Sequence, residues 1–209
     1  VGTDLRDSRF LGANFAGADL SRADLSDAQM VGSNFSSANL SSARLRSVQA
    51  KGVNFSHANM PRVDMSDSEA IGSVFAGAVI SDARFSDSEL KAVNLSKVDA
   101  RNASFRDASM VGSNLSKGRF DGASFRDADL TAAVLSHASF AGADFRDADL
   151  RRIDWRGADM SRARGLEQDQ VDEACADQST KLPKGLVGKA CSRGIMVRVT
   201  RPHVAPPAP

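Results

Sequence analysis

From Leu5 to Met160 every fifth residue is Leu, Phe, Met, Ile or Trp, with Ala only at Ala50, Ala70 and Ala100, giving thirty-two centres without a slip of register. The residue two places before each centre is small or modest in nearly all of them: Ala18, Ala23, Ala28, Ser33, Ala38 and Ala43, then the larger Val48, Val53 and Ile153. A period of five fits neither the 3.6 of an amphipathic helix nor the 2.0 of a half-buried strand. Self-similarity at a fixed short period specifies a solenoid, whose units bury their apolar side only by stacking on one another.

The units A-D-L-S-R, A-N-L-S-S and A-D-F-R-D resemble those of the pentapeptide-repeat family, and the likeness covers residues 3 to 164. It implies an all-β fold, a right-handed quadrilateral β-helix of about eight coils in which the central apolar residue and the preceding small one point inward. Four units make a coil in that family, so residues twenty apart should match. They do: Phe15, Phe35, Phe55 and Phe75 continue as Leu95, Leu115, Leu135 and Trp155, while Leu5, Leu25, Leu45 and Met65 continue as Phe85, Phe105, Phe125 and Phe145. The two columns lie on opposite walls and exchange Phe for Leu in opposite senses, which keeps core volume nearly constant, as close packing requires. Ala50 and Ala70 follow each other in one column, where Val48 and Val53 are the expected fillers. At a strand-like ~4.8 Å per coil the rod is about 38 Å long.

The net charge of +1 and a pI near 8.0 hide a mild split, with 19 basic and 21 acidic groups in residues 1 to 160 and 8 and 5 beyond. Neither part is charged enough to imply a nucleic-acid partner. The aromatic residues are nearly all inward Phe and there is no Tyr, so no stacking platform for bases is visible. No apolar run approaches the ~20 residues of a membrane span. The chain starts at Val1 with no signal peptide in view, and is read as a mature or trimmed chain.

Sorted by the same twenty-residue period, the outward residues give distinct columns. One is an acidic ladder of Asp7, Asp27, Asp67, Asp87, Asp107, Asp127 and Asp147, interrupted by Ser47 and flanked by Arg6, Arg46, Arg106, Arg126 and Arg146. It reads either as a site for a cation or basic partner, since stacked carboxylates repel, or as turn chemistry in which each carboxylate accepts a backbone N–H. A second strip sets Leu11, Val31, Ile71 and Val111 beside Gly12, Gly32, Gly52, Gly72 and Gly112, with Lys51 and Lys91 between. This smooth, partly apolar strip is a candidate docking or self-association face, against the alternative of scattered exposed aliphatics. A third column stacks Asn14, Asn34, Asn54, Asn94 and Asn114 with Ser36, Ser56, Ser96, Ser116 and Ser136, read as a ladder of amides bonding between coils; its N-x-S strings are by-products of the repeat.

No nucleotide loop, zinc-protease helix, cysteine zinc knuckle or nucleophile elbow occurs. His57 and His137 share a column but stand four coils apart, about 19 Å, too far to share a metal. A rod with a filled core offers no cleft for a catalytic group and its base. The sequence therefore names no catalytic residue, metal site or cofactor.

The repeat fades at Ala163, Arg164 and Gly165. Leu166, Val171, Ala174 and Cys175 fall near helical spacing, so a short helix is expected across the last coil, covering Trp155 and Met160 as terminal caps do. The expected organisation is a β-helix over 1–164, a capping segment over 165–200 with one strand near Ile195 to Thr200, and a Pro-rich disordered tail over 201–209. Cys175 and Cys191 are the only cysteines. They are either a disulfide that staples a segment lacking its own core, which implies an oxidising compartment, or two unrelated thiols.

The segment after the repeat also resembles the extension of many bacterial exported members of the family. That resemblance implies a non-enzymatic, periplasmic or secreted scaffold acting on an unidentified protein partner. The alternative the family offers is a cytoplasmic, DNA-mimicking regulator or protector of a type II topoisomerase, as in its quinolone-resistance members, which present extended acidic surface. Here the Asp ladder is offset by Arg and no insertion interrupts the units.

Overall fold

The computed structural model describes residues 2–192 and 195–198, with the backbone alone at 191–192 and 195–198. The Pro-rich tail expected over 201–209 and the end of the strand expected to reach Thr200 lie outside the described residues. The chain winds as a right-handed quadrilateral β-helix. Each five-residue unit has one bridging residue, one inward centre, a two-residue turn and a second inward residue. From Asp4↔Asp24 to Asp144↔Arg164, every bridge is parallel and joins a residue to the one twenty later. Around one such bridge Leu5 N donates to Asp24 O at 2.7 Å and Asp24 N donates to Thr3 O at 2.9 Å.

The corner conformation fixes the repeat length. At all thirty-two corner positions spaced five apart from Gly2 to Gly157 the residue has positive φ, and twenty-one of these residues are not glycine. The residue after it donates back across the bend, as Ala38 N does to Phe35 O at 3.1 Å. This is a type II turn, which requires a left-handed residue at its third position. Where proline occurs it is Pro61, at the second turn position, whose N–H the inter-coil ladder does not use.

Both inward positions are buried from Leu20 onward. Phe15, Phe35, Phe55 and Phe75 stack with centroids 4.8, 5.5 and 4.8 Å apart. Phe85, Phe105, Phe125 and Phe145 stack at 5.2, 5.1 and 5.0 Å. The handover is one edge-to-face contact, Phe75 to Phe85 at 5.9 Å and 89°. Val48 and Val53 are fully buried beside Ala50. The inward serines are satisfied internally, as buried polar groups must be. Ser68 Oγ donates to Leu45 O at 2.8 Å and accepts from Val48 N at 3.2 Å, and Ser113 Oγ donates to Leu90 O at 2.7 Å. These bonds serve carbonyls and amides of the preceding coil that a buried alanine could not reach.

After Arg164 the register slips, with Asp154 pairing Cys175 and Asp159 pairing Lys181. The intervening chain holds α1 (Gln168–Asp172) and β1 (Cys175–Ala176), followed by β2 (Lys189–Ser192) and β3 (Ile195–Arg198). The helix is shorter than its sequence spacing suggests. It is five residues long with a capping box between Glu167 and Gln170, and Cys175 has left it for a strand. Val171, Ala174 and Ala176 are nonetheless buried with Trp155 and Met160, and Leu166, Leu182 and Leu186 pack against them. β1 pairs β2 in parallel and β2 pairs β3 antiparallel, so the cap extends one wall of the coil as a small sheet. The indole Nε1 of Trp155 is buried without a hydrogen-bond partner among the described residues, a cost the wide core column bears at its last coil.

Candidate interaction surface

The corners differ in how they satisfy one backbone group. In each turn the N–H of the second turn residue lies outside the inter-coil ladder. At about half of the corners an Asn or Asp at the outward bridging position accepts it, as in Ser36 N to Asn34 Oδ1 at 3.0 Å, Ser56 N to Asn54 at 2.9 Å, Ser26 N to Asp24 at 3.1 Å and Ser116 N to Asn114 at 3.0 Å. Where the bridging residue is instead Arg84, Val74 or Ser104, the turn is uncapped among the described residues. The Asn column thus serves mainly to cap its own turns. Bonding between coils in that column is limited to Asn34 on Asn14 at 3.2 Å, while the next face carries Asn39 on Asp19 and Asn59 on Asn39 at 3.1 and 3.2 Å.

Toward the C-terminal end the capping carboxylates also hold an arginine two residues on, Arg146 on Asp144, Arg151 on Asp149 and Arg156 on Asp154. The Arg146 guanidinium, with smaller help from the Arg146 N–H, brings Asp144 down to about 2 despite its burial. Asp159 falls to about 2 through Ser161 and then Lys181.

One corner departs from this scheme over six successive coils. The bridging residues before it are Arg9, Gln29, Gln49, Glu69, Glu89 and Ser109. The N–H groups of Leu11, Val31, Lys51, Ile71, Lys91 and Val111 then have no hydrogen-bond partner among the described residues. Capping resumes at Thr131 N on Asp129, 2.9 Å, and Arg151 N on Asp149, 3.1 Å. The same corner carries the Leu/Val/Ile strip, which the structure places at a bend rather than on a flat wall. Leu11 and Val31 are 52% and 39% exposed, and Ile71 and Val111 are half-buried. Gly12, Gly32, Gly52, Gly72 and Gly112 take its left-handed positions with φ of 61–66°, and a Cβ on any of them would meet nothing within 4 Å. Lys51 pairs with Glu69 at 2.7 Å and Lys91 with Glu89 at 3.3 Å, so the strip's charges are compensated.

The Asp ladder occupies another corner. Asp7, Asp27, Asp67, Asp87, Asp107, Asp127 and Asp147 all sit at left-handed positions with φ between 56° and 62°, which Asp tolerates better than most side chains. They do not accept the turn N–H groups; residues three places earlier, such as Asp4, Asp24 and Asp64, do. Arg46 reaches Asp67 at 2.9 Å and Arg126 reaches Asp127 at 3.2 Å. Arg106 stands 4.0 Å from both Asp107 and Asp127, whereas Arg6 and Arg146 turn to Asp4 and Asp144.

His57 and His137 hold corner positions too, each lying over a glycine of the next coil, Gly77 and Gly157. A shallow groove bordered by Ser81, Asp82, Arg101, Asn102, Asp121 and Gly122 contains no nucleophile–base pair, and Asp121 is spent on Ser139 Oγ and the N–H of Ala141. Among the described residues no three His, Cys, Asp or Glu side chains converge as a metal site, and no helix is long and apolar enough to cross a membrane.

A family model described as "Pentapeptide repeats" matches in eight copies, over residues 1–36, 28–67, 51–87, 88–127, 108–147 and 123–164. The chain belongs to the pentapeptide-repeat family. Members of the family are generally structural or interaction scaffolds. This pentapeptide-repeat chain is similar to solved structures of the same fold. One is a trypsin-treated form of QnrB1, a plasmid-mediated fluoroquinolone resistance protein, with 23% identity and a TM-score of 0.49 over 88% of this chain and 84% of that one. Another is HetL, involved in heterocyst differentiation regulation in the cyanobacterium Nostoc sp. strain PCC 7120, at 22% identity and TM-score 0.32 over 88% and 85%. A third is a pentapeptide repeat protein of the Arabidopsis thaliana thylakoid lumen, at 26% identity and TM-score 0.39 over 60% and 72%. No curated protein matches the sequence.

The uncapped amides were missed by sequence reasoning, although the signal was present. Where capped turns have Asn or Asp, this corner has Gln29, Gln49, Glu69 and Glu89, one methylene too long to close on the turn, with Arg9 and Ser109 at its ends.

Proposed function

We propose that this protein is a non-enzymatic, exported scaffold that binds another protein chain through the corner bearing Leu11, Val31, Ile71 and Val111. The observation that carries this reading is the coincidence, over the same six coils, of partly exposed aliphatic side chains with the longest uninterrupted run of uncapped turn donors among the described residues. Solvent-facing backbone donors beside apolar surface suit a partner that supplies acceptors in place of water. DNA mimicry is less well supported, because Asp67, Asp107 and Asp127 of the acidic ladder have arginine beside them.

Export is supported by the cap. Cys175 lies on β1 opposite Lys189 of β2, two residues along that strand from Cys191. A Cys175–Cys191 bridge would tie β1 to β2 across a loop that has little core of its own, a staple worth roughly 3 kcal/mol. The docking claim is tested with Val31→Asp combined with Val111→Asp. Both side chains face outward, so the fold should persist and recovery of the partner from native extract should be lost; undiminished recovery refutes the site. Alkylation and mass mapping of protein from fractionated cells tests export: bridged cysteines in the exported fraction are expected, and reduced cytosolic thiols would reverse it.

A further inference from the structure

Down the uncapped corner the column Val31, Lys51, Ile71, Lys91, Val111 reads the same in both directions about Ile71. Beside it run Gly32, Gly52, Gly72, Ala92 and Gly112, small throughout. A strip that is palindromic about one point is complementary to itself under a twofold rotation through that point, which is the requirement of an isologous interface. We infer that the occupant of this corner is a second copy of the chain, forming an antiparallel dimer of rods whose twofold axis passes at Ile71. The inference rests on reading the corner as a docking surface and names what docks there.

The spacing of the donors selects this partner. One N–H projects per coil, and stacked rings place successive coils 4.8–5.5 Å apart. An extended strand lying along the rod offers carbonyls on one edge only every two residues, about 6.6–6.8 Å, and is out of step by the second donor. A helix has a pitch close to this spacing but has spent its main-chain carbonyls on its own N–H(i)→O=C(i−4) bonds, so it offers the donors no backbone acceptor. A second coil stack has the same repeat and stays in step along the whole corner.

The acceptors are the side chains that fail to cap their own turns. Under the rotation Val31 faces Val111 and Ile71 faces its own copy. Gln49 then comes to the coil of Lys91, Glu89 to the coil of Lys51, and Glu69 to the coil of Ile71, where the opposing N–H groups are open. Each lysine already lies beside a carboxylate of its own chain, Lys51 by Glu69 and Lys91 by Glu89, so the opposed lysines meet as neutral pairs. Gly32, Gly52, Gly72 and Gly112 leave no Cβ in the way, and Ala92 adds a single methyl.

The test is sedimentation of the full chain across the micromolar range, joined to cross-linking of cysteine variants. A dimer is expected. Ile71→Cys should cross-link to itself under mild oxidation. Val31→Cys alone should not, since its copy lies about 19 Å away, four coil spacings, but mixed with Val111→Cys it should. Gln49→Asn with Glu89→Asp, which restores two caps, should weaken the dimer at least tenfold without lowering the melting temperature. A wild-type chain that stays monomeric overturns the inference, as does a dimer in which Ile71→Cys fails to cross-link. A monomer whose partner recovery still depends on Val31 and Val111 would overturn the dimer alone; loss of both would remove the docking surface as well.

Discussion

Ala92 and Ala132 occupy the left-handed turn position with φ of 54° and 58°, and both are exposed, so replacing them with glycine removes strain without removing packing. The left-handed conformation costs an L-residue roughly 1–2 kcal/mol. Against that, glycine frees the unfolded chain, which ordinarily makes Ala→Gly unfavourable by about 0.4–1 kcal/mol. The balance is a gain of roughly 0.5–1 kcal/mol per site, and the sites are two coils apart, far enough for their effects to add to about 1–2 kcal/mol. For a chain of this size that moves the melting temperature upward by roughly 2–8 °C. Urea unfolding followed by far-ultraviolet circular dichroism and by the fluorescence of Trp155 would measure it, with Ala128→Gly as the control. Ala128 is inward, buried and free of positive φ, so there the same exchange should destabilise. If Ala92→Gly and Ala132→Gly also destabilise by the ordinary amount, the turns do not hold the conformation described and the corner geometry is refuted.

Gly77→Ala should cost roughly 1–3 kcal/mol, because the new Cβ would stand 2.7 Å from His57 Nδ1 at φ +68°; pairing it with His57→Ser should recover the part due to collision, read from urea midpoints. Asp144 has its folded pKa lowered to about 2 from 3.8, so its contribution is complete above pH 4 and is lost as pH falls toward 2. Asp144→Asn keeps an acceptor for the Arg146 N–H but removes the charge. It should lower stability at neutral pH by roughly 1–2 kcal/mol, after discounting for the exposed guanidinium, and flatten the acid limb. Chemical denaturation at a series of pH values distinguishes this from a pH-independent loss.

The core was legible because each inward position is sampled thirty-two times and a register error would expose every side chain in a coil. The Phe columns and their exchange at Phe75 and Phe85 followed once the twenty-residue coil implied by the family resemblance was laid on the sequence. The corners were less legible. A left-handed residue usually announces itself as glycine, but Lys97, Lys117, Ala92, Ala132 and Arg152 adopt that conformation here because the coil above and below dictates it. The Asp ladder marked the correct corner, and the capping role belonged to residues three places earlier. Periodicity ends at Arg164, so nothing in the sequence indicated that the cap would trade a longer helix for a five-residue turn of α1 and a strand at Cys175.

The most direct test of the account is residue-resolved amide hydrogen exchange at two protein concentrations. In dilute protein the amides of Leu11, Val31, Lys51, Ile71, Lys91 and Val111 should exchange fast, while those of Ser36 and Ser56, capped by Asn34 and Asn54, are slower. At high concentration Val31, Lys51, Ile71, Lys91 and Val111 should become protected together. Protection equal to that of the capped turns in dilute protein, or no change on concentration, would contradict the reading of this corner as an open, self-complementary surface.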